Sequence, residues 1–94
     1  MSEGVKHDDG KPRCDLLPAG AMLAVSNVLG FGARKYAPNN WRLVPDAKER
    51  YIAAALRHLF AHMMGEKHDQ ESGLTHLSHA ATCLLFVIDL ENDA

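Results

Sequence analysis

Apolar side chains return along this chain at helical intervals in three places. Met22, Val25 and Leu29 recur at i, i+3 and i+7. Asp15 is placed to cap the helix that carries them, and Pro18 falls in its first turn, where the missing N–H costs little. Ile52, Ala55, Leu56, Leu59, Phe60 and Met63 form a second stripe that keeps its period over three turns. Asp46 is expected to cap this helix, with Glu49 completing a capping-box-like pair, and Gly65 to close it in a left-handed conformation. The third stripe is Leu74, Leu77, Ala81, Leu84, Leu85 and Ile88, with Asp69 or Ser72 as its N-cap and residues 91–94 as a frayed end.

The pattern therefore predicts helices over about residues 16–33, 46–64 and 73–90. Residues 1–14, with Gly4, Gly10 and Pro12 among charges of both signs, read as an extended arm. The expected fold is all-α: a small three-helix domain with an extended N-terminal arm, single over residues 1–94. Gly30-Phe31-Gly32 lacks the preceding strand and the full spacing of a phosphate-binding glycine loop, so close packing or a loosened last turn explains it better.

Composition changes this picture in one respect. With 94 residues and 47% apolar side chains, the chain carries more apolar surface than one small bundle hides, so a homo-oligomer is expected. A formal charge of −2 with interleaved signs argues against a duplex nucleic acid partner, while leaving room for a small anionic ligand. Cys14 and Cys83 stand far apart, which suits a reduced, cytoplasmic protein. No apolar leader opens the chain, and no run of apolar residues is long enough to span a membrane.

The chemistry concentrates in two stretches. Between the second and third helices, Glu66, Asp69 and Glu71 gather within a few residues of His76 and His79. Capping explains one or two such carboxylates; three of them suit a hard cation such as Mg²⁺ or Mn²⁺. Just upstream, Arg57 and His58 are flanked by alanines and leucines, where a polar group needs a partner. His58 and His62 stand at i, i+4 but lack the HExxH context of a zinc helix. The second stretch, Arg34 to Arg42, combines cations, turn formers and aromatics. Tyr36 and Trp41 there either plug the end of the bundle or join Asn39 and Asn40 in a pocket for a base beside phosphate-binding cations.

Taken in order, Lys11-Pro12-Arg13, Asp15-Leu16-Leu17-Pro18, Gly32-Ala33-Arg34-Lys35-Tyr36, Asn40-Trp41, Arg57-His58, Gly65-Glu66, Asp69, Glu71-Ser72-Gly73-Leu74 and His76-Leu77-Ser78-His79-Ala80 resemble the phage-associated dATP/dGTP diphosphohydrolase family of the N-terminal domain type. The resemblance implies an all-α fold and a role in viral nucleotide metabolism. It also implies cleavage between the α- and β-phosphates, releasing a nucleoside monophosphate and pyrophosphate. More loosely it extends to the MazG-like all-α pyrophosphohydrolases, whose EExxE signature is absent here; Glu66-Lys67-His68-Asp69 reads as their ExxD.

On that resemblance the chain is expected to be a metal-dependent hydrolase of purine (deoxy)nucleoside triphosphates. Glu66, Asp69 and Glu71 would hold Mg²⁺ or Mn²⁺, helped by His76 or His79. Arg13, Lys35 and Arg57 would clamp phosphate, and Tyr36, Asn39, Asn40 and Trp41 would receive the base. His58 would orient or deprotonate water, with Glu66 assisting. Three rivals stand beside this reading. One is an oligomeric module that binds a nucleotide without hydrolysing it, favoured by the missing EExxE. A second is an HD-type phosphohydrolase built on His68-Asp69, and a third is a purely structural helical protein.

Overall fold

The computed structural model describes residues 3–92 and is all-α, as the periodicity predicts. Of the end expected to fray, Asp93 and Ala94 lie outside the described residues, as do Met1 and Ser2 of the arm. Three helices carry the fold: α1 (Ala19–Lys35), α2 (Ala47–Met63) and α3 (His76–Asn92). Short 3-10 turns at Cys14–Leu16 and Asn40–Leu43 precede α1 and α2. Among the described residues no strand forms beyond a single antiparallel bridge between His68 and Thr75.

The helix ends depart from expectation for local reasons. Asp15 does not cap α1: its carboxylate takes the Arg13 guanidinium at 2.8 Å through two nitrogens, and α1 starts beyond Pro18 with no side-chain cap. Asp46 does not cap α2 either. It enters the helix in the left-handed region at φ 55°, and its side chain makes no cap hydrogen bond. Gly65 does end α2, at φ +100°, where only glycine escapes a steric penalty. Its N–H bonds to His62 C=O and the Glu66 N–H to Ala61 C=O, the paired bonds of a Schellman end. The cap of α3 is Thr75, whose Oγ1 accepts the Ser78 N–H; Asp69 and Ser72 are used inside the turn instead.

The largest departure is rotational. α3 packs against both α2 and α1. The face it turns inward is His76, His79, Ala80, Thr82, Cys83 and Val87, against Val25 and Val28 of α1 and Ala55 of α2. The stripe expected to form its core faces out: Leu77, Leu84, Leu85 and Ile88 are all between 43% and 55% exposed. In α2 only Ala55 of the expected stripe is buried, while Phe60 and Met63 lie open. Two residue sets on α3 share the same helical period, and the small residues of the other helices receive the set with the smaller, hydrogen-bonded side chains.

The chain is also extended for its length. Its radius of gyration is 16.8 Å, against about 13 Å for a compact chain of about 100 residues. Its accessible surface is 7318 Å², against roughly 5,400 Å² for a folded monomer of this mass. Both the arm and the outward leucines contribute. No helix among the described residues is long and apolar enough to cross a membrane. Cys14 is exposed and Cys83 buried, with no disulfide between them, and burial pushes the Cys83 thiol up to about 11.

Candidate functional site

The inward face of α3 is polar because it forms one wall of a cavity of about 640 Å³. That size lies within the range of roughly 300–1,000 Å³ typical of small-molecule sites. The connection after α1 supplies a second wall, through Lys35, Tyr36, Asn39, Asn40 and Trp41. Arg57 and His58 enter from α2, Asp69 and Glu71 from the turn before α3, and His79 from α3 itself. The fold thus joins the two stretches that the sequence singled out separately. Arg13 is not part of it: it is exposed in the arm and paired with Asp15.

Deep in this region three imidazoles lie together. The His58 and His76 Nδ1 atoms are 2.9 Å apart. His58 stacks on His79 with ring centroids 4.5 Å apart and planes within 10°. His76, only 5% exposed, has its Nε2 on Glu66 Oε1 at 2.8 Å. The His79 Nε2 meets Ser72 Oγ at 2.7 Å and lies 3.8 Å from Asp69 Oδ2. One ligand atom from each of His58, Asp69 and His76 lies within 4.8 Å of the other two.

Burial governs the protonation here. It lowers the pKa of His58, and the neighbouring His79 and His76 lower it further. Burial also lowers His79, against an opposing pull from Asp69. For Asp69, burial works to raise the carboxyl, but the Ser72 backbone N–H and hydroxyl, with His79 and His58, outweigh it and hold the group below its ordinary value. The result is a carboxylate held toward its anionic form beside two imidazoles, His58 and His79, held toward their neutral forms, a set that can receive a cation or accept a proton from water.

The expected cation site changes membership accordingly. Glu66, Asp69 and Glu71 do not converge, because each carboxylate has a different partner. Glu66 holds His76 through its Nε2 and, like His76, does not line the cavity. Glu71 pairs with Lys35 and holds that ammonium above its ordinary pKa. Of the three, Asp69 is the carboxylate grouped with His58 and His76, and His58, expected to act on water, joins the ligand cluster in place of the other two. His79 lies beside the cluster, engaged with Ser72. His62 and His68 are exposed, so neither the i, i+4 pair nor the His68-Asp69 doublet forms a site.

The aromatic wall also divides. Trp41 stacks on Phe86 at 4.3 Å, and the Arg42 guanidinium lies 4.2 Å over the same indole. Two groups that close cannot share one face, so both faces of Trp41 are covered and it shapes the wall without offering a plane for a base. Tyr36 remains exposed at the mouth beside Lys35. Arg57 forms no hydrogen bond or ion pair among the described residues, leaving its guanidinium for an anion. Sequence reasoning missed Phe86 and Phe31, whose ring meets His79 edge-on at 6.3 Å, and it saw Ser72 only as a cap. The available signal for Phe86 was its place three residues beyond Cys83, on the same turn face as the inward set.

A family model described as dATP/dGTP diphosphohydrolase, N-terminal, matches residues 1–94. A curated protein of Salmonella phage PMBT28, named dATP/dGTP diphosphohydrolase, is 36% identical over 90 residues. The match covers 96% of this chain and 30% of that relative, so the chain spans under a third of the relative's length. No solved structure matches.

Proposed function

The chain belongs to the dATP/dGTP diphosphohydrolase N-terminal family, and from that premise we propose that its cavity is the nucleotide site of a metal-dependent purine deoxynucleoside triphosphate diphosphohydrolase serving phage nucleotide metabolism. One observation carries the reading: a single cavity is lined by an aromatic and amide wall, by two cationic side chains and by Asp69, His58 and His79, with His76 just behind His58. Tyr36, Asn39 and Asn40 would receive the purine, with Trp41 as the fixed wall behind them. Arg57 and Lys35 would hold the phosphates, Lys35 exchanging part of its pairing with Glu71.

Asp69, His58 and His76 have the donor chemistry to hold a divalent ion. When bound, such an ion makes a water more acidic and offsets charge on the phosphates. Attack of water on phosphorus breaks the bridging P–O bond and releases a nucleoside monophosphate and pyrophosphate. His79, whose pKa burial lowers, lines the cavity and would take the proton that water sheds. The reading includes a homo-oligomer, supported by the outward leucines of α3.

The test is pyrophosphate release from dGTP and dATP with a divalent ion, alongside nucleotide binding measured by calorimetry. The failure of Glu66, Asp69 and Glu71 to converge favours one rival, a module that binds nucleotide without cleaving it. Tight, metal-independent binding with no turnover would select that rival.

A further inference from the structure

We propose that the ion held at this site is a borderline first-row transition metal of the Zn²⁺, Co²⁺ or Fe²⁺ kind in place of Mg²⁺, ligated by His58 Nδ1, His76 Nδ1 and Asp69, with Glu66 as the positioning residue behind His76. The inference deepens the preceding reading and rests on its placement of the ion.

The donor set is the first argument. Two imidazole nitrogens and one carboxylate form the set that first-row transition ions prefer, whereas Mg²⁺ is held by oxygens and keeps its waters. The three carboxylates that would have suited Mg²⁺ are dispersed, with Glu71 on Lys35 and Glu66 on His76. The second argument is spacing. Metal–nitrogen bonds of about 2.1 Å set two ligands about 3.0 Å apart at a right angle and about 3.4 Å apart at a tetrahedral one, so a tetrahedral ion needs the two rings to part by roughly 0.5 Å. The two Nδ1 atoms are 2.9 Å apart. A pair of such bonds in line spans about 4.2 Å, so the outer limit of 4.8 Å leaves a small closure for the Asp69 side chain.

The third argument is the far side of His76. Its Nε2 faces the Glu66 carboxylate at 2.8 Å, and a carboxylate can only accept, so Nε2 carries a proton, and in the neutral ring Nδ1 presents a lone pair toward His58. Metal-bound histidines usually have this partner: the outer carboxylate fixes the tautomer and makes the inner nitrogen a better donor. Without an ion and with both rings neutral, His58 supplies the Nδ1–H that bridges to His76. Moving that proton to the His58 Nε2 frees both lone pairs with no change of charge.

The experiment uses the chelator-stripped protein without nucleotide. Zn²⁺ and Mg²⁺ binding are measured by calorimetry, and Co²⁺ is read by its visible d–d absorption. The expected result is Zn²⁺ and Co²⁺ binding at least 100-fold tighter than Mg²⁺, with a Co²⁺ spectrum of nitrogen and oxygen ligands and no thiolate band. His76→Asn and Asp69→Asn should abolish it, and His62→Ala and Cys14→Ser should leave it intact. Glu66→Gln should weaken Zn²⁺ about 10–100-fold and shift the Co²⁺ spectrum while the circular dichroism stays unchanged. Mg²⁺ binding as tightly as Zn²⁺ overturns the proposal, as does Zn²⁺ binding that survives both His58→Asn and His76→Asn. The wild-type Co²⁺ spectrum decides the matter if a variant fails to fold: thiolate bands, or no bands, refute it. Turnover assays with each ion keep the two readings apart. Zn²⁺ at this cluster without nucleotide cleavage sinks the hydrolase, and Mg²⁺-driven cleavage without Zn²⁺ preference sinks the ion assignment.

Discussion

Replacing Ser72 by alanine removes one oxygen from the turn before α3 and tests how the inward histidine face is held. Ser72 Oγ meets His79 Nε2 at 2.7 Å and also accepts the Leu74 N–H at 3.1 Å. His79 is 8% exposed, so its ring nitrogen has little access to water once the hydroxyl is gone. A hydrogen bond of this kind is worth about 0.5–1.5 kcal/mol net, and leaving a buried partner unsatisfied costs about 1–3 kcal/mol. Ser72 is itself half-buried and admits some water, which places the expected loss near 2 kcal/mol. For a domain of this size that lowers the melting temperature by about 8–16 °C. Urea unfolding followed by circular dichroism measures the difference directly. Ser72→Thr keeps the hydroxyl and should recover most of the loss. Ser26→Ala is the control, because its hydroxyl bonds to Met22 C=O on an exposed face and should change stability by less than about 0.5 kcal/mol. If Ser72→Ala is as mild as Ser26→Ala, or Ser72→Thr as harmful as Ser72→Ala, the hydroxyl does not hold His79 and the reasoning fails.

Acid should weaken the chelator-treated fold in two stages. His58 and His79 have folded pKa values below the ordinary 6.5, so the unfolded chain binds their protons first. Stability should therefore be flat between neutrality and about pH 8 and fall as the pH drops through 6.5; Asp69, lowered from 3.8, adds a later loss. Equal urea midpoints at pH 8 and pH 5.5 would contradict this. Arg57→Ala should weaken dGTP binding about 10–100-fold, the value of one or two charge-assisted hydrogen bonds, with helicity unchanged because the side chain is exposed and makes no ion pair among the described residues. An unchanged dissociation constant would remove Arg57 from the phosphate role. Leu77→Glu with Leu84→Glu should cost an isolated chain no more than about 1 kcal/mol, yet dissociate a homo-oligomer that packs on this face. Sedimentation of the wild type at its monomer mass of 10.3 kDa would end the oligomer expectation.

Local signals in the sequence determined the number of helices, their type and the glycine that ends α2. Periodicity and a left-handed Gly65 depend on neighbours within a turn or two, and those neighbours are written in order along the chain. The two chemical stretches were legible for the same reason, since residue types can be counted without knowing where they point. Only the tertiary structure decided which face of α3 looks inward. His76, Ala80, Cys83 and Val87 repeat with the same period as Leu77, Leu84 and Ile88, so a hydrophobicity argument selects the leucines. The structure buries the other set, because its polar members have partners: Glu66 for His76, Ser72 for His79 and the Ser78 C=O for Thr82. The same turn decided the carboxylates. Glu66, Asp69 and Glu71 are near neighbours in sequence, but the tight bonds of Asp69 to Leu74 and Gly73 send them to three different partners. Sequence spacing set how close those groups are along the chain, and a hydrogen-bonded turn set which of them can share an ion.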